Sequence, residues 1–318
     1  MTGSAWRTRR PSVDMVAPPE RLAAFRIAAS GFTTAYLLLR SPVFLGLADR
    51  AQDDFDPVGV LDLFDWRFSS GLVTALVLAT PAVGIAATVG WRYRLTGPTF
   101  AVGVGLLTTL RSSWGQLLHF ENLMLLFALV LAVSPAADAW SLDALRRTRH
   151  STERPADDER SPAPDVRYGH PLVVASWIVV TTYVIAGIAK LRYGGIGWLD
   201  GDTLRNHIAS AAARLDLLGG TPAPLAELAV RAEVVLPLAA FVTVALELAA
   251  PLALIDRRLR NGWVATVWFL HVGVLLTMAI GFPSPLFGVA FAPLFRLEVA
   301  IERLRARIRS RGVDGAPA

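Results

Sequence analysis

The sequence predicts an all-α fold: a polytopic transmembrane helix bundle of about 7–8 spans with its N-terminus in the cytoplasm. Three observations carry this expectation. Of the 318 residues, 53% are hydrophobic and only 18% charged, too apolar a balance for an average soluble domain. The apolar residues fall into several long runs, as bilayer-crossing helices of roughly 20 residues require. Arginine clusters sit at the N-terminus, at Arg92/Arg94, at Arg146/Arg147/Arg149, at Arg257/Arg258/Arg260 and in the C-terminal tail. These are alternate loops, the pattern of a chain with both ends on the positive, cytoplasmic side.

Residues 1–20 are basic and Pro-containing and lack a signal-peptide core, so they read as a cytoplasmic tail. A transmembrane domain then covers 21–296. Its first run is Leu22–Leu47, interrupted by Arg26 and Arg40, and an acidic stretch Asp49–Asp65 follows. Gly71–Gly90 is the second run, and the tight basic loop Trp91–Arg94 leads to the third, Leu95–Leu110. After RSSWGQ comes the fourth, Leu117–Val133. Residues 134–169 are charged and proline-rich, a flexible cytoplasmic loop. The fifth run, Pro171–Lys190, opens into an extracellular loop, 191–231, with a surface helix expected over Thr203–Leu217. Val234–Ile255 and Trp263–Gly281 are the sixth and seventh. Ser284–Phe295 is broken by prolines and is too short to span unaided. Residues 297–318 read as a basic amphipathic helix suited to an anionic leaflet. No internal repeat and no second domain is visible.

The composition also excludes functions. There is no cysteine, hence no disulfide, thiolate or iron–sulfur chemistry. No His-x-x-x-His or Glu-x-x-His pair supports a metal site. The net charge of +5 resides in interspan loops without aromatic interleaving, which argues against nucleic acid.

Lys190 is the only lysine. Arginine does not lose its proton in a protein, whereas a desolvated amine does. A single lysine at the outer end of a span is therefore a candidate base or nucleophile. Its other reading is an interfacial cation that snorkels to the headgroups. Ionisable groups inside apolar runs are candidates by default: His119 with Glu121 and Asn122 at the start of the fourth run, His271 in the seventh, Glu247 in the sixth and Arg26 in the first. Arg26 with Glu247 reads as a structural ion pair. His271 reads either as a site residue or as a histidine hydrogen-bonded between helices. Loop charges place Lys190 and His119 at the same outer level.

The stretch YVIAGIAKLRYGGIGWLDGDTLRNHI, starting at Tyr183, resembles the Tyr-x-x-Ala-Gly-x-x-Lys-Leu…Trp-x-x-Gly motif of vitamin K-dependent gamma-carboxylase and of the bacterial HTTM-domain (horizontally transferred transmembrane) proteins. WGQLLHFENLMLLFALVLAVSPAADAWSLDAL, HVGVLLTMAIGFPSPLFGVAFAPLF and the initial ERLAAFRI resemble further segments of that family in the same order, so the resemblance covers most of residues 20–296. It implies a multi-pass protein of the bacterial cytoplasmic membrane that uses a reduced quinone, vitamin K or menaquinone. Lys190, immediately before Leu191, matches the base that deprotonates the quinol. Oxygen then turns the quinol into a strong base that removes a glutamate γ proton, and carbon dioxide adds. His119 is the nearest match to a histidine that assists carboxylation, and His271 matches a later one. Tyr183, Gly187 and Trp198 fall in the motif stretch and, with Arg192 beside the lysine, are expected to contact the cofactor. The implied partners are the lipid bilayer, a quinol and a glutamate-containing peptide or protein. The family's enzyme carries a large substrate-recognition domain after its spans, whereas this chain ends soon after Phe295. An alternative expectation is therefore a non-enzymatic HTTM protein that binds quinone or lipid, or assists maturation or export of a peptide. A transporter ranks third, since no inverted repeat is visible.

Overall fold

The computed structural model describes residues 13–50, 52–64, 68–116, 118–150 and 162–313. Most of the expected N-terminal tail and the middle of the 134–169 segment lie outside these. Among the described residues every regular element is helical. Four helices are long and apolar enough to cross a membrane: Pro19–Leu39, Ser70–Val89, Val166–Trp198 and Arg257–Met278. Two further apolar helices are shorter, His119–Ala132 and Val235–Leu248. At ~1.5 Å per residue they fall below the bilayer thickness on their own.

The chain divides into two compact units, Asp14–Ala175 with Phe295–Ala318, and Ser176–Leu294 with Met1–Val13. The sequence hides this boundary because it falls inside an uninterrupted helix, Val166–Gly194. No loop or linker marks it.

The first unit is built on α1 (Pro19–Leu39), α2 (Ser41–Leu45), α3 (Ser70–Val89), α4 (Tyr93–Ser112), α5 (Asn122–Ala132) and α6 (Leu142–His150). The first apolar run is thus two helices, broken at Arg40. Helix α3 packs against both α1 and α4, and α4 against α5. Small residues make this close approach: a Cβ on Gly84 would overlap Thr34 and lie 2.6 Å from the Phe100 ring, and one on Gly103 would lie 2.6 Å from Thr80 Oγ1. Without a hydrophobic drive between helices in lipid, such packing is the main source of association. The other side of α3 carries exposed Leu72, Leu78 and Ile85, as a lipid-facing surface does.

Ser69 caps α3, accepting from Leu72 N at 3.3 Å. Gly90 ends the helix at φ +67, where a side chain would also overlap Ser141 and crowd Arg26. Asp143, the second residue of α6, accepts from the backbone N–H groups of Arg92 (2.9 Å) and Tyr93 (2.8 Å). It thereby satisfies orphan donors at the start of α4. Arg26 is fully buried and donates to the carbonyls of Ala136 (2.9 Å) and Trp140 (2.6 Å). Helix α7 (Val166–Gly194) contributes its first turns to this unit, with Tyr168 donating to Asp138 at 2.9 Å. The C-terminal helix Leu297–Val313 is anchored here too. Buried Glu298 accepts from Arg21 Nε at 2.8 Å, and Asp14 bridges Arg21 (2.9 Å) and Arg296 (2.6 Å).

The second unit holds the rest of α7, then α8 (Asp202–Leu217), α9 (Ala226–Arg231), α10 (Val235–Leu248), α11 (Arg257–Met278) and the short α12 (Pro283–Leu286). The expected extracellular loop is therefore largely helical. Its surface helix runs within one residue of the expected bounds. One face of α8 packs Ile208 with Ala223, Ala226 and Leu236, flanked by Leu204 and Met278. Asp256 caps α11, accepting from Arg258 N (2.7 Å) and Leu259 N (3.0 Å). The proline-broken stretch after α11 folds as α12 and a 3-10 turn, Val289–Leu294, consistent with its inability to span alone.

Gly84→Val overpacks the contacts of α3 with Thr34 and Phe100 and costs about 1–3 kcal/mol. Thermal unfolding in detergent, followed by circular dichroism, then shows a lowered midpoint. An unchanged midpoint would mean that the three helices yield without cost. Around Asp14, desolvation pushes the carboxyl up, but the hydrogen bonds and charges of Arg21 and Arg296 outweigh it and hold it below the ordinary value of 3.8. A depressed carboxylate contributes stability that is present above the unfolded pKa and lost as pH falls through the folded one. Asp14→Asn therefore lowers the unfolding temperature at neutral pH, and the difference from wild type shrinks as pH falls below 3.8 and through the depressed folded-state pKa.

Candidate active site

Tyr183, Gly187 and Lys190 are spaced by four and three residues, so they share one face of α7. That face meets α10 and α11 within the second unit. Lys190 Nζ lies 2.6 Å and 2.8 Å from the two carboxylate oxygens of Glu247, the penultimate residue of α10. The Glu247 side chain is 8% exposed and that of Lys190 22%. The carboxylate is thus the more buried partner and the ammonium the more exposed. Gly187 makes this possible. A Cβ there would stand 3.1 Å from Glu247 Cβ and 3.0 Å from Leu248 Cδ2, so any larger residue pushes α10 away from the lysine.

Past the end of α7 the chain turns through a 3-10 segment, Gly195–Trp198, which brings the Trp198 ring to 5.6 Å from Lys190 Nζ. A cation over an indole face gains electrostatic stabilisation that grows as water is excluded. The far side of Trp198 packs against His207 of α8, ring centroids 5.5 Å apart.

Two turns back from Lys190 along α7, the Tyr183 hydroxyl is 2.8 Å from Nε2 of His271 on α11. Both rings are buried. Trp263 meets Tyr183 edge-on at 5.1 Å, Phe291 stacks on it at 6.4 Å, and Phe282 tilts against His271 at 5.1 Å. Trp263 also donates from Nε1 to the Leu246 carbonyl at 2.9 Å, which holds α11 against α10 one residue before Glu247. The two polar pairs feel each other, since the Glu247 charge acts on Tyr183 and the Lys190 charge on His271. His271 Nδ1 is buried and has no hydrogen-bond partner among the described residues. An unsatisfied buried polar group costs about 1–3 kcal/mol, so this nitrogen favours a hydrogen bond to a ligand atom.

The structure thus gathers five sequence candidates, Lys190, His271, Tyr183, Gly187 and Trp198, in one cluster. Arg192 lies outside it on the exposed side of α7, its guanidinium 5.8 Å from the Tyr193 ring centroid. His119 belongs to the first unit. It is exposed, on the 3-10 turn His119–Glu121 that precedes α5, so the expected fourth run becomes a helix only from Asn122. In that unit Glu121 is buried and bonded by Arg111 and by the Tyr36 hydroxyl (2.5 Å).

One expectation is overturned. Arg26 does not pair with Glu247: it spends its donors on two backbone carbonyls that follow α5, while Glu247 takes Lys190. Both residues read as charges inside apolar runs, and run order does not say which helices become neighbours. Glu247 was the residue whose role the sequence concealed. The signal that finds it is charge balance, because it is the acid of the sixth run and the lone lysine ends the fifth.

The HTTM domain profile matches residues 63–298, which include α3 to α12 and every residue of this cluster. No curated protein and no solved structure matches the chain. With its four bilayer-length apolar helices it is an integral membrane protein, and it belongs to the HTTM-domain family.

Proposed function

We propose that this protein is a quinol-dependent membrane enzyme of the vitamin K-dependent carboxylase type, with its proton chemistry at Lys190. The observation that carries the reading is the Lys190–Glu247 pair, held between apolar helices beside the Tyr183–His271 hydrogen bond. Buried ionisable pairs in membrane helices are costly and favour functional positions. The surrounding residues fit a reduced quinone. Trp198, Phe282 and Trp263 provide ring surface, and His271 Nδ1 is an unspent polar atom. A bound quinol supplies the reducing equivalents and, with oxygen, the strong base, so that quinol, oxygen, carbon dioxide and a glutamyl side chain become quinone epoxide, water and γ-carboxyglutamate. The protein's own share is narrower. Lys190 takes up the proton that the reaction releases at its start and presents a cation to the resulting oxyanion. Tyr183 sets the His271 tautomer through Nε2, leaving Nδ1 to hold a ligand oxygen. The aromatic lining excludes water that would quench a strong base.

In this reading the N-terminus is cytoplasmic and Lys190 faces outward in a bacterial cytoplasmic membrane, as the loop charges require. The shorter helix α10, extended by the 3-10 turn Ala250–Leu254, completes a further crossing. His119 and Arg192 remain assigned by resemblance, His119 to carboxylation and Arg192 to the cofactor.

A second reading rests on the same pair. A bidentate Lys–Glu contact also serves as a clamp that specifies how α7 meets α10. The protein then binds quinone or lipid, or assists a peptide's maturation or export, without catalysis.

Turnover decides between them. The purified protein in lipid, given reduced menaquinone or vitamin K, oxygen, bicarbonate and a glutamate-containing peptide, forms quinone epoxide. Lys190→Arg keeps the charge but not the exchangeable amine, and lowers the rate about 100-fold or more. Epoxide formation unaffected by that substitution would sink Lys190 as the group that moves the proton. Absence of epoxide with any quinol would favour the clamp. Gly187→Leu removes no ionisable group, yet by parting α7 from α10 it lowers turnover about tenfold or more. Equal turnover would show that close approach of the two helices is not needed.

A further inference from the structure

Lys190 is not a free amine. Both oxygens of Glu247 lie within 2.8 Å of its Nζ, and the carboxylate has no other hydrogen-bond donor in the described contacts. An ionised Lys–Glu pair has one group able to accept a proton, and that group is the carboxylate. An ammonium cannot act as a base until it has given a proton away. The nearest acceptor is Glu247, already in contact and shielded from water.

We propose that Glu247 is the proton acceptor of the site and Lys190 the relay that reaches the substrate. The inference rests on the quinol reading above. An acidic O–H approaching from the open side hands its proton to Lys190 Nζ as Nζ passes one of its own to a Glu247 oxygen. One substrate O–H bond and one N–H bond break, and one new N–H and one carboxyl O–H form. The products are an oxyanion, a lysine ammonium and a neutral carboxylic acid. No oxidant or reductant is involved. Charge is conserved, and the cation is left facing the new anion instead of the old one. Pairing with Glu247 beforehand means the ammonium is held in place without a mobile counter-ion.

Three features of the site suit this division. The acid is the deeper partner, 8% exposed against 22% for the lysine side chain, so substrate meets Nζ first. The Trp198 ring lies over the ammonium, its centroid 5.6 Å from Nζ, and covers one side of it. Tyr183 and His271 already satisfy each other at 2.8 Å and do not compete for the carboxylate. Arginine at 190 could keep the pair but not the relay, because a guanidinium does not give up its proton. The ligand class is a membrane-soluble phenol with an acidic O–H, such as a quinol.

The test uses a probe that ionises but carries no second hydroxyl to be oxidised, 4-methoxy-1-naphthol. Its neutral and anionic forms differ in absorption, so the protonation state of bound probe is read directly in lipid nanodiscs near neutral pH. Wild-type protein is expected to bind it largely as naphtholate. Glu247→Gln is expected to bind it as neutral naphthol, the anion-to-neutral ratio falling about tenfold or more. Glu247→Asp, which restores a carboxylate, recovers part of the anion. Infrared difference spectra of the wild type, with glutamate carbon-13 labelling, are expected to show a carboxylic acid band appearing on binding. This measurement needs no variant to fold. Equal ionisation in Glu247→Gln, or no new carboxylic acid band in wild type that has bound naphtholate, would overturn the assignment of Glu247 while leaving a quinol site in place. Failure of wild type to bind the probe at all would overturn the quinol reading itself.

Discussion

The ion pair between Lys190 and Glu247 is the constraint on which the second unit depends. Two opposite charges inside apolar helices are tolerable only in contact, because separating a buried pair leaves an uncompensated charge worth several kcal/mol. The pair therefore dictates where α10 meets α7. Gly187 removes the one side chain that would prevent the contact, and the hydrogen bond from Trp263 to the Leu246 carbonyl fixes α11 to the same place. The Tyr183–His271 bond lies two turns away along α7, packed among aromatic neighbours. Polar chemistry and helix packing are here the same interaction viewed from two sides.

The first unit solves a similar problem in another way. Among the described residues Arg26 has no carboxylate partner at bonding distance, and it is still fully buried. It donates to backbone carbonyls in the turns between α5 and α6. A guanidinium suits this role, since its fixed fork of donors bonds several carbonyls without giving up charge. A lysine could not satisfy as many acceptors, and an arginine at 190 could not release a proton.

Much of the fold was legible because membrane helices announce themselves by length and hydropathy. The bounds of α3 and α8 fall within one residue of the apolar and amphipathic patterns, and the break in the final stretch follows from Pro283, Pro285 and Pro293. The interruption of the first run at Arg40 and the helical content of the segment after Lys190 were less visible. Caps and turns such as those at Arg40 and Gly195 depend on what the next element packs against. The division into two units left no trace at all, since it crosses an unbroken α7.

Local sequence alone determined which residues would be costly in a membrane and which single amine could carry chemistry. Spacing of four and three placed Tyr183, Gly187 and Lys190 on one face of α7, because a helix repeats every 3.6 residues whatever surrounds it. Partner choice was decided only by tertiary structure. Glu247 went to Lys190 and not to Arg26, and His271 to Tyr183, because contacts between segments 57 and 88 residues apart depend on how helices assemble, and a hydropathy pattern holds no information about which helix lies beside which.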